Sequence, residues 1–249
     1  MPGWRADPRR RAVIVLVATL VGMGITGRLG LWQLDRAAQK EALQATLDAR
    51  GILPALQMDK LPADEPQAAA EHHRPVMLRG VWMQGATVFL DNRQMNGRPG
   101  FFVVTPLVLA PGDAVLVQRG WVPRNVLDRT QLPEVPTPTG PVEVRGRLSP
   151  APGRLFDFAP QAPASGPIRQ NLVLADHARA LGVALRPWTV QQTDEGVPAD
   201  DGLMRQWPRP AADVHKHYGY AFQWFGLCAL MAGLYVWFQL LRPRLQRRR

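Results

Sequence analysis

Ala12 to Leu31 reads AVIVLVATLVGMGITGRLGL, and Tyr218 to Leu241 reads YGYAFQWFGLCALMAGLYVWFQLL. These two apolar stretches decide the fold. The first is 20 residues, about 30 Å as a helix and enough to cross a bilayer core. The second is 24 residues without a charged side chain. Arg5, Arg9, Arg10 and Arg11 precede the first; Arg242, Arg244, Arg247, Arg248 and Arg249 follow the second. Arginine on both outer flanks puts both termini in the cytoplasm by the positive-inside rule. The expected organisation is a basic cytoplasmic tail (1–11), a transmembrane helix (12–32), an extracytoplasmic β-rich domain (33–216), a second transmembrane helix (217–241) and a second basic tail (242–249).

Charge follows this division. The chain carries 30 Lys+Arg against 20 Asp+Glu, a formal net charge of +10. Nine of the arginines flank the spans and Arg28 lies inside the first, so the displayed domain is nearly neutral. The positive charge therefore belongs beside lipid headgroups, and nucleic acid is not an expected partner. Arg28 lies one turn from Trp32, near the outer interface, where a long side chain can reach water. Arg10-Arg11 before an apolar run evokes an export signal. However, the run is long for a signal core, no small-x-small cleavage site follows it, and few residues precede it for a transit peptide. The expectation is an uncleaved anchor in a bacterial inner (cell) membrane, multi-pass, with the main domain periplasmic.

The single cysteine, Cys228, lies within the second span. The exported domain therefore has no disulfide and relies on its own core. It also offers no Cys pair for copper(I) transfer or thiol–disulfide exchange.

Between the spans, Leu34 to Arg50 has good helix formers and no proline, and is expected to continue the first helix until Gly51. Leu53 to Gln67, rich in Pro and Ala, reads as a connector. Pro75–Met83 and Ala86–Asn92 flank Gln84-Gly85 as an expected hairpin. Phe101–Leu109 and Ala114–Gln118 flank the Pro111-Gly112 turn. Pro141–Leu148, Ile168–Leu174 and Trp188–Gln192 complete the strands, and Asp176 is the expected cap of a short helix through Leu181. Pro-rich loops fill 132–141, 150–167 and 197–210. The fold class is thus two transmembrane α-helices bracketing a β-rich α+β domain, mostly antiparallel, with closure into a barrel left open. Within the spans, Ala18, Gly22, Thr26 and Gly30 form one small-residue stripe, and Gly219, Gly226 and Gly233, with Ala229, form another. Both are expected to pack helix on helix.

Enzyme signatures are missing. There is no phosphate loop, no H-E-x-x-H and no G-x-S-x-G, and the two serines, Ser149 and Ser165, sit in Pro-rich loops. Asp200-Asp201 reads as a solvated turn, His72-His73 as a solvated pair without a third metal ligand, and His177 as a helix-start residue. Gln118 to Pro123 reads as a strand ending in a turn, with Arg119 and Trp121 serving folding. One constellation carries chemistry: His215-Lys-His217-Tyr218-Gly-Tyr220-Ala-Phe-Gln-Trp224-Phe225. An imidazole among aromatic rings at a membrane boundary suits an axial haem ligand, but the residues alone fit a plain interfacial belt better, where a His needs no ligand. His215 and His217 point about 200° apart on a helix, so a single ligand fits better than a pair.

Three stretches together resemble the surfeit locus protein 1 family. They are Leu29-Gly-Leu-Trp32-Gln33-Leu34-Asp-Arg36 with Lys40; the run from Pro75-Val76 through Gly80, Asn92-Arg93, Gly97-Arg-Pro99-Gly100 and Thr105-Pro106 to Gln118-Arg119-Gly120-Trp121-Val122-Pro123; and His217-Tyr-Gly-Tyr220-Ala-Phe-Gln-Trp224-Phe225. Gln118 stands where Asn is expected. His215 stands where many relatives carry Asn, so the family role falls to His217 alone. The resemblance implies a non-enzymatic assembly factor for haem-copper cytochrome c oxidase that binds haem a transiently and assists its insertion into the catalytic subunit. It implies haem a synthase, that catalytic subunit and the lipid bilayer as partners. His217 is then the axial ligand of the haem iron, with Tyr220 and Trp224 beside the cofactor. The competing expectation is a membrane-anchored scaffold or sensor that binds a protein or peptide without haem.

Overall fold

The computed structural model describes residues 8–156, 166–194, 201–208 and 213–247. Arg5, Asp7, Ser165, Asp200, Arg248 and Arg249, with parts of the loops over 150–167 and 197–210, lie outside the described residues. The chain divides into two compact units, one of Met1–Ala45 with Arg209–Arg249 and the other of Thr46–Pro208.

Helix α1 begins at Pro8 and runs unbroken to Gly51, its last turns being counted with the second unit. The apolar span and the soluble helix formers after it are one element because no proline interrupts them until Pro54. Helix α4 covers Val214–Tyr235, passes through a π-helical segment at Val236–Leu241, and continues as α5, Arg242–Arg247. Pro243 has no N–H to offer the carbonyl of Gln239, and the change in ladder falls immediately before it. Both helices are long and apolar enough to cross a membrane. Val13, Ile14, Val17, Leu20 and Val21 on α1, and Phe222, Leu230 and Leu234 on α4, are exposed.

The second unit is a closed sheet. Its strands are β1 (Pro75–Trp82), β2 (Val88–Met95), β3 (Arg98–Ala110), β4 (Asp113–Pro123), β5 (Pro141–Ser149), β6 (Ile168–Arg169) and β7 (Leu185–Gln192). The order β1-β5-β7-β4-β3 closes on itself through β1–β3, giving a five-stranded barrel, and β2 and β6 continue outward from β3. The sheet is mixed rather than purely antiparallel. Among the described residues five pairings are antiparallel, while β4–β7 and β2–β6 are parallel. Two short helices accompany the strands: α2 (Glu65–Glu71) precedes β1, and α3 (Leu174–Leu181) lies between β6 and β7. β7 follows α3, and that helical crossover is what lets it run parallel to β4.

Closure explains the core. Val76, Leu78, Trp82, Leu107, Val115, Val117, Val144, Leu148, Trp188 and Val190 alternate along five strands and meet in one buried cluster. β4 is buried along almost its whole length because it has neighbours on both edges and side chains packed on both faces.

Several expectations are corrected here. Gln84-Gly85 is a corner, not a hairpin. β1 and β2 both run antiparallel to β3 along the same edge, β1 against Leu107–Val108 and β2 from Val104 to Arg98. The hairpin lies at Asn96-Gly97, where both residues have positive φ (52° and 74°) and Met95 pairs with Arg98. That geometry is the tight turn whose twist matches the strands it joins. The Arg119–Pro123 segment does not leave the sheet; it prolongs β4, pairing Pro123 with Gly100. Asp176 caps nothing, since α3 starts at Leu174 and Asp176 is ion-paired to Arg179 within it. The end of the expected connector is helical: α2 is capped by Asp64, whose carboxylate accepts from the Gln67 N–H. The Pro111-Gly112 turn stands as read, with Ala110 opposite Asp113.

Candidate functional site

The aromatic constellation lies on the first three turns of α4, and its residues divide between two faces. Val214 and Ala221 are buried, and His217, Trp224 and Cys228 are half-buried, a spacing of three, four, three and four. This is the face turned toward α1. His217 and Trp224, seven residues apart, differ by only about 20° around the axis. Tyr220 lies about 60° off that face and is 52% exposed. His215 is exposed, so one histidine of the pair faces α1 and the other does not.

On α1 the matching face is Gly22, Thr26, Gly30, Gln33 and Ala37, again at intervals of three and four, and all half-buried or buried. A Cβ placed on Gly30 would lie 2.7 Å from the Phe225 ring, and one on Gly22 would lie 2.9 Å from the Met231 sulfur. The small residues of α1 therefore receive large side chains of α4. Ala18 is exposed and takes no part in this seam. The second expected stripe is corrected: Gly219, Gly226 and Gly233 have open space around them, and Ala229 is exposed. Seven-residue spacing placed those glycines on a common face, but it is the face opposite the bulky one. Arg28 also points outward.

Two polar contacts cross the helix pair. His217 Nδ1 is 2.7 Å from Gln33 Oε1. The Tyr218 hydroxyl donates to Glu41 Oε1 at 2.9 Å, two turns further along α1. Chemically, the arrangement is an oriented imidazole with Nδ1 engaged by Gln33, and an indole on the same helix face two turns along. Gln33 is a participant that the residues alone did not reveal, although a lone amide between the small residues Gly30 and Ala37 is a legible signal.

In the barrel unit, the remaining candidates fall into place. Arg119 is 2% exposed. It donates to the Pro136 carbonyl at 2.7 Å and to Thr137 Oγ1 at 3.0 Å, and stacks over the Trp82 ring at 4.7 Å. Its charge is met by Asp201 at 3.6 Å. Asp201 also accepts from Arg205 at 2.5 Å, and Arg205 reaches Asp194 at 2.9 Å. Burial pulls the Arg119 guanidinium below its ordinary value, and the Asp201 charge opposes this. Asp201 is thus no solvated turn residue; its side chain is 8% exposed and bridges two buried guanidiniums.

The same segment clamps Trp121. Its main chain exchanges hydrogen bonds with Met204 at 2.8 and 2.9 Å, and its indole N–H donates to the Arg93 carbonyl at 2.9 Å. Gly120 admits the segment, since a Cβ there would meet Leu203 at 2.7 Å. Gln118, fully inside, donates to Thr189 Oγ1 at 2.8 Å. Arg119 and Trp121 are thus buried and bonded inside the barrel unit, the setting that a folding role requires.

His72 and His73 are half-buried rather than solvated, with rings 6.0 Å apart, and burial lowers both below the ordinary imidazole value. Among the described residues no three His, Cys, Asp or Glu side chains are grouped to hold a metal ion. His177 is buried in α3 with Nδ1 3.4 Å from Arg169, and burial, helped by that charge, lowers it to about 4. It is a neutral core histidine at neutral pH.

Against known proteins, the SURF1 family model matches residues 20–229. A SURF1-like protein of Rickettsia bellii is 26% identical over 211 residues, 83% of this chain and 83% of that protein. The surfeit locus protein 1 of Arabidopsis thaliana is 36% identical over 121 residues, 43% of this chain and 33% of that one. The cytochrome oxidase assembly protein SHY1 of Saccharomyces cerevisiae is 29% identical over 96 residues, 38% of this chain and 24% of its own.

Proposed function

This chain belongs to the SURF1 family, and from that premise we propose that it is a non-enzymatic assembly factor for cytochrome c oxidase that carries haem a through His217. The two apolar helices anchor it in a bacterial inner membrane with both termini cytoplasmic, following the arginine flanks, and the barrel unit stands on the periplasmic side. A relative named for cytochrome oxidase assembly supports the process. The observation that carries the cargo is the state of His217. Its ring is half-buried on the α1-facing side, Nδ1 is taken by Gln33 Oε1, and Nε2 remains for a metal. Trp224 shares that face, and the exposed Tyr220 flanks it.

Haem a is cargo here, and iron coordination is what the imidazole supplies. The protein's own work is to hold the ring, to offer a flat aromatic surface and to keep water from one side. A single axial ligand suits release to the oxidase catalytic subunit after loading from haem a synthase. No covalent step is required of the carrier.

The test is the absorption spectrum of the full chain, purified in detergent from cells that make haem a. A stoichiometric Soret band lost in His217→Ala, at unchanged membrane insertion, is the expected result. A colourless protein that still co-purifies with an oxidase subunit would overturn the carrier role and leave a scaffold.

A further inference from the structure

His217 and Gln33 are 184 residues apart in the chain and 2.7 Å apart in space. With Gln33 Oε1 turned to Nδ1 the amide oxygen can only accept, and the contact assigns the proton to Nδ1. A neutral imidazole bonded in this way has its lone pair on Nε2. The setting is stiff. Gln33 lies between Gly30 and Ala37, both buried, with Gly30 against Phe225 of α4, and His217 lies between Val214 and Ala221, both buried. The Tyr218 hydroxyl, donating to Glu41, adds a second polar contact across the same helix pair. The distance suits a glutamine; an asparagine is one methylene shorter.

We propose that Gln33 is the positioning residue of the His217 site: it fixes the imidazole tautomer and ring plane so that Nε2 is presented to an incoming haem iron. This rests on the assignment of His217 as the haem ligand. Hydrogen-bond partners of metal-binding imidazoles orient the ring and make it a better donor, and losing one lowers metal affinity about 10- to 100-fold.

Gln33→Leu and Gln33→Glu separate this role from a packing role. Leucine keeps the volume and loses the acceptor; glutamate keeps an acceptor and adds charge. Haemin titration of the detergent-solubilised full chain should show about 10- to 100-fold weaker binding in Gln33→Leu and no weakening in Gln33→Glu. The midpoint potential of bound haem should move downward in Gln33→Glu, because a carboxylate makes the imidazole more electron-rich, and upward in Gln33→Leu. Thermal midpoints of the unloaded proteins serve to exclude misfolding.

Independently of haem, 15N shifts of labelled histidine in the unloaded protein should report His217 protonated on Nδ1, and Gln33→Leu should release that preference. A wild-type His217 protonated on Nε2, or a Gln33→Leu protein with unaltered tautomer, affinity and potential, overturns the proposal while His217→Ala still abolishes binding. If His217→Ala itself binds haem normally, the ligand assignment fails and the positioning role falls with it.

Discussion

Replacing Asp201 by asparagine tests whether the barrel unit depends on a carboxylate buried between two arginines. The amide keeps nearly the same shape and one acceptor oxygen but loses the charge. Arg119, with 3% of its side chain exposed, would keep Pro136, Thr137 and the face of Trp82, and would lose the carboxylate at 3.6 Å. Arg205, with 1% of its side chain exposed, would keep only the half-exposed Asp194 as a counter-ion. Breaking a buried ion pair by removing one partner costs about 3–5 kcal/mol, because the other charge stays buried. Asp194 offsets part of this, so the low end, about 3 kcal/mol, is expected. For a chain of this size that is about 6–12 °C in thermal midpoint. The assay is thermal unfolding of the full chain in detergent, followed by tryptophan fluorescence. Asp176→Asn is the comparison, since that pair with Arg179 is exposed and should contribute less than about 1 kcal/mol. An Asp201→Asn loss no larger than that of Asp176→Asn would refute the reasoning and mean that Arg119 is satisfied without its counter-ion.

Two further outcomes follow from packing and protonation. Gly30→Leu should destabilise the helix pair by about 1–3 kcal/mol by driving a side chain into Phe225, whereas Gly24→Leu, facing open space, should not; equal thermal midpoints for the two would place the seam elsewhere. His177 has a lowered value in the folded state, about 4, against 6.5 ordinarily, so its neutral form is favoured by folding. As pH falls from about 6.5 to about 4 the unfolded chain takes up the proton first, and stability present above pH 6.5 is lost, by up to about 3 kcal/mol. Urea unfolding at stepped pH should show that loss, and His177→Gln should flatten it; an equal slope in the variant would assign the effect to other groups.

What the amino-acid sequence determines by itself is whatever rests on neighbours within a turn or two. Ala12–Leu31 makes a helix long and apolar enough to cross a membrane, Leu34–Arg50 continues it because nothing breaks the ladder, and Pro111-Gly112 turns because Gly112 accepts a positive φ of 76°. Asn96-Gly97 is equally local and equally legible, although the expected hairpin fell at Gln84-Gly85 instead. The candidate imidazole is equally local, with His217, Tyr220 and Trp224 in one short run.

Tertiary structure decided what depends on residues far apart. Whether the strands close was open until Val81 and Trp82 met Val108 and Leu107, a pairing that also turned Gln84-Gly85 from hairpin to corner. The parallel β4–β7 ladder, the burial of Asp201 between Arg119 and Arg205, and the choice of the α1 glycines over those of α4 as the packing seam all follow from such long-range docking. So does the bond from Gln33 to His217. Periodicity tells which face of an element is apolar, but not which partner will cover it. That partner is selected only when whole elements pack, because the free energy of burying each face is shared across every contact at once.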